Sequence, residues 1–306
     1  MAYTFKLGKS VEKNTRRVAK SQIEKAIAEI DDGDLNFNDT VHQVRKRCKK
    51  LRGLIRMVRP CFDDYKRENI VFRDASRELS YVRDTEATLE THDDLMEFYG
   101  SEVDGFAYAA IRGKLLERKE QAIDELPLEE KLARFRETMC DAKARANDWK
   151  IDGRGFEAIA GGIEKTYKRG RKAMAETMDD PTPEALHQWR KRVKYHWYHT
   201  RLLGDIWPEM MVPYGAAAKR LSDLLGAHHD LAVLQDIAPD LFDGNRDAMK
   251  TYLGLAQGRQ ALLESQTFHL GQRLFAEKPS ALTKRWGAYW EAWQAGDESR
   301  HLLQAA

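Results

Sequence analysis

Two short runs of this chain, HQVRKRCKK at 42–50 and HQWRKRVKY at 187–195, each open on a histidine and continue in arginine and lysine. Between His42 and Arg59 stand eight Lys/Arg and no acid; between His187 and Arg201 stand five Lys/Arg, three histidines and again no acid. Solvated helix faces usually alternate sign, because opposite charges three or four residues apart support a helix and like charges oppose it. Two long acid-free stretches therefore point to an anionic ligand. Arginine offers a planar fork for two phosphate oxygens, and lysine a mobile point charge. A histidine among cations stays neutral and donates one hydrogen bond to a phosphate oxygen; a bound polyanion would favour its imidazolium form. The candidate contacts are His42, Arg45, Lys46, Lys49, Lys50, Arg52 and Arg56 in the first run, and His187, Arg190, Lys191, Lys194 and Arg201 in the second.

Other chemistries compete for the same residues. His228-His229-Asp230 is a histidine–aspartate pair of the kind that holds metal, and His196 and His199 lie three apart. Metal-assisted hydrolysis needs several such ligands converging on an open site. The first half of the chain has Arg83-Asp84 at the matching place, and an arginine does not ligate a metal. Asp84 and Asp230 are therefore read as structural, holding a helix end or an arginine. No catalytic residue, metal site or cofactor is expected. A nucleic-acid ligand would call for stacking platforms. The first run has no aromatic residue, while the second has Trp189, Tyr195, Trp197 and Tyr198, with Tyr198 nearest the wet face. These four are read as packing residues. From Thr85 to Asp104 the sign reverses, with seven Asp/Glu and no Lys/Arg, a stretch suited to balancing the basic run or to self-association. An acidic protein partner on the basic face is a third alternative.

These residues need a rigid carrier, and the pattern supplies helices throughout. Apolar residues recur at spacings of three and four, as in Val11, Val18, Ile23, Ile27 and Ile30. Breaks are expected at Asp31-Asp32-Gly33, Pro60, Gly100 to Gly105, Pro127, 152–155, Pro181 to Pro183, Pro208 and Gly244-Asn245. At about 100° per residue, His42, Arg45, Lys46, Lys49, Arg52 and Arg56 fall within an arc of roughly 120°. Val41, Val44, Cys48, Leu51, Ile55 and Val58 gather on the other side. His187, Arg190, Lys191, Lys194 and Arg201 form the same ridge in the second run, opposite Trp189, Val193 and Leu203.

The two runs are also copies. They share His-Gln-x-Arg-Lys-Arg-x-Lys 145 residues apart, Arg56 and Arg201 coincide at that offset, and 77–84 lies over 223–230 one residue further on. The expected architecture is all-α: two tandem four-helix-bundle-like repeats, 1–152 and 153–306, related by a pseudo-two-fold axis, with the basic helices facing across a central groove. Arg16, Arg17 and Lys20 lie before the first basic helix, and Lys165, Tyr167, Lys168, Arg169, Arg171 and Lys172 before the second. Arg73, Arg77, Lys219 and Arg220 follow them. All of these could join the ridge.

With 306 residues, 42% hydrophobic and 33% charged, and only 8 prolines, the chain is neither disordered nor collagen-like nor a β-sandwich. Three scattered cysteines form neither a disulfide framework nor a zinc knuckle. No stretch approaches 18 apolar residues, and the basic start is followed by no apolar run of a secretory signal, so a soluble cytoplasmic protein is expected.

The duplicated His-x-x-Arg-Lys-x-x-Lys helix, each copy followed by an Arg-Asp or His-Asp helix, resembles the CHAD family (conserved histidine α-helical domain). The KTYKRGRK run and the late FAEKPSALTKRWGAYWEAW segment look like the same family. The resemblance spans nearly the whole chain. It implies two four-helix bundles, a basic groove or pore that binds inorganic polyphosphate without catalysis, and association with polyphosphate granules. The matching positions are His42, Arg45, Lys46, Lys49, Lys50, Arg52, Arg56, His187, Arg190, Lys191, Lys194 and Arg201. Tyr195 and Trp197 stand where the first copy has Lys50 and Arg52, and His228-His229 replaces the family's common Leu-Arg, so the second ridge is less charged. The appended triphosphate-tunnel domain of some relatives has no counterpart here. A general polyanion or nucleic-acid binder is the alternative reading, and a metal-dependent phosphohydrolase a more distant one.

Overall fold

The computed structural model describes residues 3–32, 34–100, 103, 108–124 and 127–305, with side chains for all of these except 82, 83, 123, 124 and 297–305. Among the described residues the chain is all-α, with no strand. The helices are α1 (Val11–Asp31), α2 (Phe37–Val58), α3 (Tyr65–Glu78), α4 (Ser80–Phe98), α5 (Ala109–Asp124), α6 (Leu128–Ala146), α7 (Glu157–Asp179), α8 (Pro183–Leu202), α9 (Pro208–Leu241), α10 (Arg246–Leu274) and α11 (Pro279–Ala305).

Their ends follow local chemistry. Ser10, Asn36, Thr182 and Asn245 each accept a hydrogen bond from the backbone N–H three residues on, capping α1, α2, α8 and α10. Pro60 halts α2 in a 3-10 turn over Arg59–Cys61, and Pro183 and Pro208 open α8 and α9. Gly153 and Gly155 turn the chain between α6 and α7 at positive φ (84° and 52°). The break expected over 100–105 falls mostly outside the described residues. One break carries no glycine or proline: α3 gives way to α4 at Leu79, where Ser80 Oγ donates to the Arg77 carbonyl. The corresponding stretch of the second half continues through Leu225 without interruption, inside α9.

Several helix pairs of the first half have counterparts in the second. Helix α1 lies on α2 and α6, as α7 lies on α8 and α11; α4 lies on α5, as α9 lies on α10. Helices α2 and α8 cross where Gly53 leaves no room for a Cβ beside the Tyr198 ring, and His199 Nε2 meets the Gly53 carbonyl oxygen at 3.1 Å. Gly53 and Tyr198 are themselves equivalent positions at the 145-residue offset.

Among the described residues the apolar interior divides into two cores, and neither belongs to one half. The larger joins α1, α2, α3 and α6 to α7, α8, α11 and the first part of α9, around Leu51, Leu54, Ile163, Trp189 and Trp286. The smaller joins α4 and α5 to the C-terminal part of α9 and to α10, around Leu95, Leu115, Leu234 and Tyr252. His92 on α4 bonds Tyr252 on α10 inside it, at 2.8 Å. No helix among the described residues is long and apolar enough to cross a membrane.

Candidate functional site

Helix α2 buries Val41, Val44, Cys48, Leu51, Ile55 and Val58 completely, and α8 does the same with Trp189 and Val193. Burial of that stripe turns the opposite face of each helix outward. The two faces meet across a cavity of about 660 Å³. From α2 it receives His42, Arg45, Lys49 and Arg52; from α8, His187, Arg190, Lys191, Lys194, Tyr195 and Tyr198. Helix α4 adds Asp84 and Ala87, and α9 adds His229 and Asp230. Six cations thus face two carboxylates and three imidazoles in one concavity.

The cations are held under electrostatic load. Burial, then Arg190, lowers Lys194 to about 8 against the opposing pull of Asp223 and Asp230. Burial also lowers Lys191, with Arg192 and Arg190 adding to it and Glu184 opposing. Among the described residues, no acceptor reaches the buried Nε of Arg190. Its guanidinium lies over Gly226, where a Cβ would stand 3.3 Å from Nε. Asp84 lies 4.0 Å from Arg45, which fits the reading of this carboxylate as an arginine partner. A site crowded with partly desolvated like charges gains most from an incoming anion.

Eight of the candidate residues named from sequence line this cavity; the others lie elsewhere. Lys46 is exposed and donates to Gln43. Lys50 is buried beside Tyr3, and burial followed by Arg47 and Arg201 lowers it to about 7. Arg56 is buried with its guanidinium 4.0 Å from the centre of the Tyr195 ring. Arg201 stacks over Tyr3 and Trp197. On α3, Arg73 pairs with Asp74 and Arg77 is exposed. On α7, Arg169 is exposed and Arg171 donates to the Glu277 carbonyl. On α9, Lys219 pairs with Asp223 and Arg220 is exposed. Arg16, Arg17 and Lys20 line a separate concavity on α1 with Lys9 and Lys13.

One placement differs from the sequence reading of the aromatic residues. Tyr198, expected nearest the wet face, is 1% exposed, and Tyr195 is the half-buried ring beside it. The cause is the close α2–α8 crossing at Gly53, which covers Tyr198. The histidines of the metal alternative diverge. His228 is buried and meets Glu264 on α10 at 2.9 Å, whereas His229 turns into the cavity. His196 stacks on Trp286 and meets Tyr214, and His199 meets Gly53. Among the described residues no group of three or more His, Cys, Asp or Glu is placed to hold a metal ion. His229 is a cavity residue with phosphate-binding chemistry that sequence reasoning did not assign to binding. The repeat offers one signal for it, because the 146-residue offset sets Arg83, a cation, at the same place; the Arg83 side chain lies outside the described residues.

With this geometry in hand, the family model described as CHAD domain matches residues 17–239, which include every residue lining the cavity. The chain belongs to the CHAD family. Among solved structures, the CHAD domain from the plant Ricinus communis superimposes with a TM-score of 0.59, covering 90% of this chain and 95% of that one. At 15% identity the likeness concerns the fold. Comparison with curated proteins gives no match. The duplicated histidine motifs of this CHAD chain thus occupy two helices that share one cavity.

Proposed function

We propose that this CHAD protein binds inorganic polyphosphate without catalysis, in the cavity between α2 and α8. One observation carries the reading: the two sequence-distant copies of the histidine motif supply His42, Arg45, Lys49, His187, Arg190, Lys191 and Lys194 to a single concavity rich in cations. A linear polyanion matches a site that is basic along several helical turns. Phosphate oxygens would take the arginine forks and lysine ammoniums, and capture would proceed by long-range attraction. The domain is a single unit of two repeats, 1–152 and 153–306, whose pseudo-two-fold axis passes near the Gly53–Tyr198 crossing. Its setting is the cytoplasm, at polyphosphate granules. Nucleic acid is the poorer ligand, since Tyr195 carries the Arg56 guanidinium on its face and Tyr198 is buried, which leaves little platform for a base.

A competition titration at roughly physiological salt tests this. Labelled long polyphosphate is challenged with single-stranded RNA of equal charge and with triphosphate. Only long polyphosphate competes well if the reading holds; equal competition by RNA replaces it with a general polyanion surface. Replacing Arg45, Lys49, Arg190 and Lys194 together by alanine should weaken binding on the order of 100-fold or more, with helicity unchanged by circular dichroism. Affinity that survives this change places the ligand elsewhere.

A further inference from the structure

His229 lines the cavity beside His187. Its ring lies against that of His187, with centroids 3.8 Å apart and planes inclined by 37°. Among the described residues, no partner reaches the buried Nδ1 of His187. Two imidazolium rings would repel at this distance, so the stack is one of uncharged or singly charged rings.

The surroundings oppose protonation while the site is empty of anion. From α8 the pair faces Arg190, Lys191 and Glu184, and from α9 it faces Asp230. Across the cavity stand His42, Arg45, Lys49 and Arg52 on α2 and Asp84 on α4, with Lys194 further along α8. Cations outnumber carboxylates in this set. Burial, then the neighbouring ring, then Lys191 and Arg190 bring His187 down to about 4. Burial and Arg190 lower His229 as well, with Asp230 opposing.

We propose that His229 is a phosphate-contacting residue, and that His187 and His229 act as one proton-accepting unit that takes up a proton when the polyanion enters. The inference rests on the polyphosphate reading and adds a regulation to it. An anionic chain in the cavity offsets the field of Arg190 and Lys191. An imidazolium then gains a charge-assisted bond to a phosphate oxygen that a neutral ring cannot match. The stack limits the gain to about one proton, since a second would face the first. The bound state holds more protons than the free state, so affinity rises as pH falls. Where uptake is complete the rise approaches about tenfold per pH unit, and it levels off near pH 4, where the free pair is itself protonated.

The test is calorimetric titration of the full chain with long polyphosphate at about pH 6, in buffers of different ionisation enthalpy. Lys194 is already charged at that pH and contributes little. The wild type should take up about one proton more per chain than His187→Gln/His229→Gln. Equal uptake in the wild type and the double variant, with polyphosphate still bound, overturns this inference and leaves the polyphosphate reading standing. No binding by the wild type overturns both. Histidine ring proton shifts of the wild type, followed against pH with and without polyphosphate, probe the same proton uptake without a variant. The His187 and His229 titrations should move upward on binding, and unmoved titrations reject the proposal.

Discussion

Lys50 shows how a single step along a helix separates a cavity-lining cation from a buried one. It follows Lys49 directly, yet Lys49 lines the cavity and Lys50 is buried under Tyr3, whose hydroxyl donates to the Lys50 carbonyl. Its folded-state value of about 7 lies below the ordinary lysine value, so the unfolded chain binds the proton more tightly. The lysine therefore subtracts stability at neutral pH; the loss grows as pH falls from the ordinary lysine value towards about 7 and levels off below it. Lys50→Met should raise Tm at pH 7 while leaving polyphosphate affinity within about twofold, as read by thermal melts and titration. The sequence displayed the motif residues plainly, because charge and period are local. The helical period set Lys50 just outside the basic arc, but neither its burial nor the difference between Arg52 and Arg56 could be read, because both depend on where Tyr3 and Tyr195 come to rest. Neither tyrosine is near these positions in the chain.

At the scale of elements, most boundaries were legible because proline, glycine and capping side chains act locally: Asn36, Pro60, Thr182, Pro208 and Asn245 all sit where helices start or stop. The α3–α4 break at Leu79 was not, since nothing in Glu78-Leu79-Ser80 forbids a helix and the other half runs straight through the same place. Crossings are equally silent in sequence. Helix α7 approaches α2 so closely that a Cβ on Gly162 would fall on the Met57 carbonyl oxygen, at the C-terminal end of the basic helix. No side-chain rotation relieves overlap with backbone. Gly162→Ala should therefore force α7 away from α2 and cost about 1–3 kcal/mol or more, measured by denaturant unfolding. Gly161→Ala, whose Cβ meets the Pro60 ring at 3.2 Å, should be milder.

The whole molecule is organised by exchange between its halves. The repeat was visible as a sequence match, but the match does not say which helices share a core. Helices α4 and α5 close their apolar faces on α9 and α10, and α2 packs on both α7 and α8. Two fragments, 1–152 and 153–306, should each lack cooperative unfolding when made alone and recover it on mixing. Calorimetry of the fragments and the mixture checks this, and a fragment with its own sharp transition would contradict it. The cavity is completed by the same exchange, so polyphosphate binding should reappear only in the mixture.

That shared smaller core also sets a schedule for the nascent chain. Leu95, Ile111 and Leu115 leave the ribosome well before Leu231, Leu234 and Tyr252, the residues of α9 and α10 in the same core. At ordinary elongation rates, synthesis from the end of α5 to the end of α10 takes roughly 8–30 s. Until α9 and then α10 follow, the α4–α5 face is apolar and incompletely covered, which makes it a target for chaperone capture during translation.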